Sequence, residues 1–170
     1  MTLLEFYNTY NMQQVEFDGA FFYQCVDLVE QYMQDVLGLQ VVTGIGSAHS
    51  YYDDFYNTPF LYNNFTRITY DGTNMPQVGD IVVWSTAVGG GAGHISIAYE
   101  DITSTSFVCF GQNWTIHERT SLEPHSNYNN VLGWLRSNNA PPEPPEPEPE
   151  QEIKKHKFPW VLYARKFRNR

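Results

Sequence analysis

The hydrophobic pattern of this chain changes period near residue 58, and that change limits the folds open to it. Before it, apolar residues recur at three- and four-residue spacing, as one face of a helix requires. Thr2-Leu3-Leu4-Glu5 reads as a capping box, opening a helix to about Gln13 with Leu3, Phe6, Tyr7 and Tyr10 on one side. A second helix starts at Gln24 or Cys25, carries Leu28, Val29, Tyr32, Val36 and Leu37, and stops at Gly38. A third, short one follows Ser47 and ends at Asn57-Thr58-Pro59. Beyond it, short alternating runs at 66–70, 81–84, 94–99, 106–110 and 131–135 are separated by Gly, Pro and Asn clusters, the mark of antiparallel strands. Helices first and strands afterwards predict an α+β fold, closing near Arg136.

Charge divides the chain further. Residues 1–137 hold 14 acidic residues against three arginines (Arg67, Arg119, Arg136) and no lysine, a net charge of −11. Residues 138–152 are almost wholly Pro and Glu, a semi-rigid spacer in extended form. Residues 153–170 carry seven basic residues and no acid, interleaved with Phe158, Trp160, Tyr163 and Phe167. Three parts are therefore expected: a body at 1–137, a linker at 138–152 and a basic aromatic tail at 153–170. The acidic body argues against nucleic acid as a partner. The tail is the one place for a wall polymer, a membrane surface or an assembly protein to dock. There is no run of eighteen apolar residues, and Met1-Thr2-Leu3-Leu4-Glu5 lacks the basic flank of a secretory signal.

Two cysteines do not make a disulfide framework. Cys109, in Ser106-Phe107-Val108-Cys109-Phe110, reads as a core thiol, and Cys25, at a helix start in a polar stretch, as an exposed one. A thiol nucleophile needs a low pKa, a base and oxyanion donors. A helix N-terminus supplies the first through its unpaired amides. Its backbone N–H groups, with the Gln24 side chain, are candidate oxyanion donors. Most cysteines at helix starts are structural, so position alone does not make Cys25 catalytic. Among five histidines, His156 is in the tail and His49, His117 and His125 read as surface residues. His94 ends Gly89-Gly90-Gly91-Ala92-Gly93, where small residues leave room for a substrate, and opens a strand that would hold its ring rigidly. Asn113 follows the next strand and is the candidate to set the imidazole tautomer, a turn residue being the plainer reading. Of the aromatic residues Trp84, Trp114, Tyr51 and Tyr52, several must be core. Trp114, beside Asn113, is the candidate substrate contact.

The acids ahead of Cys25 form a second pattern. Glu16, Asp18, Ala20, Phe22 and Asp27 occupy positions 1, 3, 5, 7 and 12 of a loop running into a helix. That alternation of side-chain and backbone oxygens suits Ca²⁺. Gly19 falls at position 4 and Asp replaces Glu at 12, so this is not an EF-hand, and a solvated acidic loop is the alternative.

Five segments in order, Tyr23-Gln24-Cys25-Val26-Asp27-Leu28, Pro76–Trp84, Gly93-His94-Ile95-Ser96-Ile97-Ala98, Gln112-Asn113-Trp114 and Leu132-Gly133-Trp134-Leu135-Arg136, resemble the CHAP domain (cysteine, histidine-dependent amidohydrolase/peptidase). The resemblance covers residues 1–137 and implies a papain-like fold and hydrolysis of amide bonds in bacterial peptidoglycan. It casts Cys25 as nucleophile, His94 as base and Asn113 as its orienter, and the acidic loop as a calcium site. Many members read Glu-Gln-Asn-Trp where this chain has Gly111-Gln112-Asn113-Trp114, so the acid that often supports the histidine is missing there. A phage-type lysin is implied, made in the host cytoplasm and acting at the wall, or carried in a virion tail. The alternatives are a wall-binding module that does not cleave and a structural virion protein.

Overall fold

The computed structural model describes residues 1–139; the linker and tail expected at 138–152 and 153–170 lie almost wholly outside the described residues. Helix α1 (Leu3–Tyr10) begins with the expected capping box: the Thr2 N–H donates to Glu5 Oε2 (2.7 Å) and the Glu5 N–H to Thr2 Oγ1 (3.2 Å). It ends three residues before the predicted stop. Helix α2 spans Cys25–Asp35. The third helical segment is α3 (Ser50–Asp53) with a 3₁₀ turn at Phe55–Asn57. Pro59, read as a terminator, instead occupies the first turn of a further helix, α4 (Pro59–Asn64), where its missing N–H costs nothing.

Six strands follow: β1 (Phe65–Thr69), β2 (Ile81–Trp84), β3 (His94–Glu100), β4 (Phe107–Gln112), β5 (Thr120–His125) and β6 (Val131–Ser137). They form one antiparallel sheet in the order β1-β6-β2-β3-β4-β5. Five of the six were expected. The sixth, β5, reads Thr-Ser-Leu-Glu-Pro-His, and its proline sits on the edge strand, where an absent N–H breaks no ladder.

The sheet is covered on both faces. Ile81, Val83, Ile95, Ile97 and Phe110 pack against Phe6, Leu28, Val29, Tyr32 and Met33 of the helices. Val82, Trp84, Ala98, Phe107, Cys109 and Trp134 form a second cluster on the other face with Tyr128. Two covered faces explain why β2 is apolar at every position. Asp80, buried just ahead of β2, accepts from Arg136 Nε (3.0 Å) and Nη2 (2.7 Å) and from the Gln77 N–H (2.7 Å). Two of the sequence segments singled out above are thereby tied together by one bidentate pair.

Candidate active site

Cys25 is the first residue of α2, and its surroundings are built from the strands. Gln24 is extended, and its N–H donates to Asp27 Oδ2 (2.6 Å), while Asp27 Oδ1 accepts from Phe17 N–H (3.2 Å). Gln112, fully buried at the end of β4, accepts from Val15 N–H (2.8 Å) and donates to the carbonyls of Val15 (2.8 Å) and Gln24 (2.7 Å). The residue before the thiol is thus fastened to the sheet. Half-buried Cys25 lies in a cleft of about 760 Å³ lined also by Phe21, Phe22, Ala48, Tyr51 and Ala92. Cys109 is fully buried, as expected, and burial pushes its thiol well above the usual range.

His94, the first residue of β3, is 3% exposed. Its Nε2 lies 2.9 Å from Glu123 Oε2, and Cys25 stands near enough to act on the ionisation of its ring. With Nε2 engaged, Nδ1 is the nitrogen that serves the thiol. Burial disfavours the charged ring, but the Glu123 charge and the hydrogen bonds with Cys25 and Glu123 outweigh it and push the His94 pKa up to about 10. Glu123 is itself fully buried; burial alone would raise its pKa, and the two histidines His94 and His125 pull it below the usual value. A thiol, an imidazole and a carboxylate are therefore neighbours here, the set of groups that lets a histidine take a proton from a nucleophile and hold it.

Several sequence expectations are corrected by this geometry. The group on the His94 ring is Glu123 and not Asn113. Asn113 has left-handed backbone (φ 64°), and its Oδ1 accepts from Glu118 N–H (2.9 Å), so it shapes its own turn. Glu123 was missed because it lies on the strand that was missed. His125, read as a surface residue, is half-buried, its ring against Phe107 and Trp84 with centroids 5.0 and 4.8 Å away. The Gln24 side chain donates to the Phe21 carbonyl (2.7 Å), which commits one N–H of the proposed oxyanion amide within its own loop. Gly93 does not open space for a substrate: a Cβ there would sit 2.6 Å from the Trp84 carbonyl oxygen and 3.0 Å from His49. Tyr51, Tyr52 and Trp84 are core, whereas Trp114 is 41% exposed with its ring 4.6 Å from that of His94.

The acidic loop meets the test of a hard-cation site in part. One carboxylate oxygen from each of Glu16, Asp18 and Asp27 comes within 4.8 Å of the others. None of the ion pairs among the described residues involves them. Burial raises the Asp27 pKa, the Gln24 and Phe17 amides oppose it, and the charges of Asp18 and Glu16 add to the rise. One turn on, buried Glu30 accepts from the Tyr51 hydroxyl (2.6 Å) but leaves Oε2 without a partner, and burial pushes it up to about 7. Uncompensated carboxylates at this density are what a divalent cation with oxygen ligands relieves. The Glu16 and Asp18 oxygens meanwhile accept from Gly19 and Ala20 amides, and the Phe22 carbonyl from Gln24 N–H.

Comparison with known proteins places this arrangement. The family model for the CHAP domain matches residues 15–113. Endolysin PlyTW of Staphylococcus phage Twort is 27% identical over 135 residues, covering 74% of this chain and 27% of that protein. A probable autolysin PH of Staphylococcus aureus is 43% identical over 67 residues, covering 35% of this chain and 13% of its own length. Among solved structures, the endolysin LysIME-EF1 superposes with a TM-score of 0.62 at 28% identity, over 78% of this chain and 61% of that one. Ly7917 superposes at 0.55 with 14% identity, over 79% and 60%, a likeness of fold alone. The chain spans less than two thirds of each of these relatives.

Proposed function

The chain belongs to the CHAP domain family, and on that premise we propose that it hydrolyses an amide bond in the peptide part of bacterial peptidoglycan, using Cys25 as nucleophile. The observation that carries this reading is a half-buried thiol at the start of α2 beside a buried imidazole whose Nε2 is held by a buried carboxylate. Two of the similar proteins are endolysins and a third is a probable autolysin, which supports peptidoglycan as the substrate.

The reaction divides into two acyl transfers. His94 Nδ1 takes the Cys25 proton and the thiolate attacks the scissile carbonyl carbon. The oxyanion rests on the Cys25 N–H, with the remaining N–H of the Gln24 amide as second donor. His94 then gives its proton to the leaving amine, and the C–N bond breaks to leave a thioester. Water, deprotonated by His94, attacks the thioester; the products are a free carboxylate and the restored thiol. Proton transfer by a placed imidazole contributes about 10²–10⁴-fold. Trp114, exposed beside His94, would offer a ring face to a substrate group. The missing acid at Gly111 speaks for a wall-binding protein without activity, and the Glu123 carboxylate on His94 speaks against it.

The decisive experiment is digestion of purified Gram-positive peptidoglycan followed by mass analysis of the new ends. New amine and carboxylate termini are expected, and their positions distinguish an N-acetylmuramoyl-L-alanine amidase from a cross-bridge endopeptidase. No release from any of several wall types would overturn the reading in favour of a structural or binding role.

The same proposal includes a Ca²⁺ ion held by the side chains of Glu16, Asp18 and Asp27 and the carbonyls of Ala20 and Phe22. Bound there, it would neutralise the loop and steady the start of α2. Titration with Ca²⁺ is expected to raise the melting temperature, and Asp18→Asn to abolish that rise. A melting curve indifferent to Ca²⁺ and to EDTA would refute the site. Partners of the basic tail are proposed to be wall polymer, membrane or a virion protein. A lysin of this type is made in the host cytoplasm and acts at the wall.

A further inference from the structure

The carboxylate on His94 comes from an unexpected strand, and a glycine makes room for it. Strands β4 and β5 pair with Cys109 opposite Glu123 and Gly111 opposite Ser121. Glu123 and Gly111 are thus diagonal neighbours on one face, since side chains two residues apart share a face. A Cβ at Gly111 would lie 2.2 Å from Glu123 Oε1 and 2.5 Å from Oε2. The Glu123 carboxylate therefore occupies the volume that any side chain at 111 would take. It is fully buried, bonded to His94 through Oε2, with His125 Nε2 at 3.8 Å from the same oxygen. Glu123 Oε1 and His125 Nε2 have no hydrogen-bond partner.

A carboxylate so far from water is held only by its partners, because desolvating it costs several kcal/mol unless paired. Its one close partner is the ring whose other nitrogen serves Cys25. We propose that Glu123 is the positioning residue of this site, fixing the His94 ring with Nε2 bound and Nδ1 towards Cys25, and that residue 111 is glycine because the Glu123 carboxylate fills its place. The acid is thereby supplied from the edge strand β5 in place of β4. The chemical role of this geometry rests on the hydrolase reading; the geometry of the ring does not.

The titratable groups that face His94 are Cys25 from α2 and Glu123 from β5; His125 of β5 and Cys109 of β4 face Glu123 in turn. If residues 111 and 123 act as one unit, their substitutions must be non-additive. The test uses Gly111→Ala, Glu123→Gln and the double variant of the full chain, with ¹⁵N-histidine NMR to follow His94. Each single change is expected to lower the His94 titration midpoint by about one to three pH units, the span that a close opposite charge accounts for, and the double change to lower it no further. Alkylation of Cys25 by iodoacetamide at neutral pH is expected to slow about tenfold or more in all three. A merely structural carboxylate would lower the melting temperature and leave the midpoint where it was.

An unchanged midpoint in either folded single variant overturns the proposal, as does an additive double variant. Should Glu123→Gln fail to fold, Gly111→Glu combined with Glu123→Ala returns an acid to the same space from β4. A high midpoint in that variant supports the proposal, and an ordinary one refutes it. None of these readouts needs a substrate. A wild type that digests no wall yet shows the coupled shifts would sink the hydrolase reading and leave the seat of Glu123 standing.

Discussion

Cys25→Ala is expected to reduce peptidoglycan hydrolysis by about 10⁴-fold or more, the scale on which removal of a nucleophile from a thiol or hydroxyl triad falls. With the thiol gone, His94 and the backbone donors at the start of α2 remain, but no covalent intermediate forms and water must attack the amide directly. The fold should not change. Cys25 is at the first turn of a helix and only half-buried, and alanine is the best helix former, so the melting temperature should stay within a degree or two. That combination separates lost chemistry from lost structure. A labelling control is built into the chain: iodoacetamide should add one group to the native wild type and none to Cys25→Ala, because Cys109 is fully buried with its thiol pushed up by burial. Wall digestion by Cys25→Ala at the wild-type rate would remove the thiol from the mechanism.

Gln112→Leu is expected to cost about 3–5 kcal/mol of folding stability. The change keeps the side chain's bulk and removes its polar end, stranding the Val15 N–H, the Val15 carbonyl and the Gln24 carbonyl in the interior. Each unsatisfied buried group costs about 1–3 kcal/mol, and some will find water or each other. Against a total stability of about 5–15 kcal/mol for a domain of this size, the midpoint in urea should fall by about a fifth or more. Activity should fall further than the unfolded fraction explains. Gln24 directly precedes Cys25, and its carbonyl is one of the groups that Gln112 fastens to β4. Equilibrium denaturation together with hydrolysis rates at low denaturant checks both parts. A stability loss under 1 kcal/mol would mean that the loop is held by something other than this amide.

Gln112 and Asn113 show how far a local pattern carries. Both stand in one short segment, and the sequence assigned the chemistry to Asn113 because an amide after a strand can orient a histidine. In the fold, Asn113 closes its own turn with Glu118, while Gln112 reaches across 97 positions to Val15. Nothing in the spacing says which of two adjacent amides points inward. That is decided by the pleat of β4, which places Gln112 in the interior.

Helix starts, apolar strands and the separation of helical from sheet segments were legible because they depend on neighbours three or four residues away. The Thr2 capping box, the start of α2 at Cys25 and the apolar run of β2 are local features with local causes. The pairing of Cys25 with His94, 69 positions apart, was instead implied by a resemblance that spans several segments. Strand β5 was not legible, since Pro124 and two hydroxyl residues hide it, and only its place at the sheet edge makes such a composition acceptable. With β5 went Glu123, and with Glu123 the meaning of Gly111. The sequence by itself determined the class of fold, the nucleophile and the base as candidates, and the acidic loop. Which acid reaches His94 was decided by tertiary structure alone. That contact depends on the register of two strands and on an empty volume at one glycine, and neither is written in any one segment of the chain.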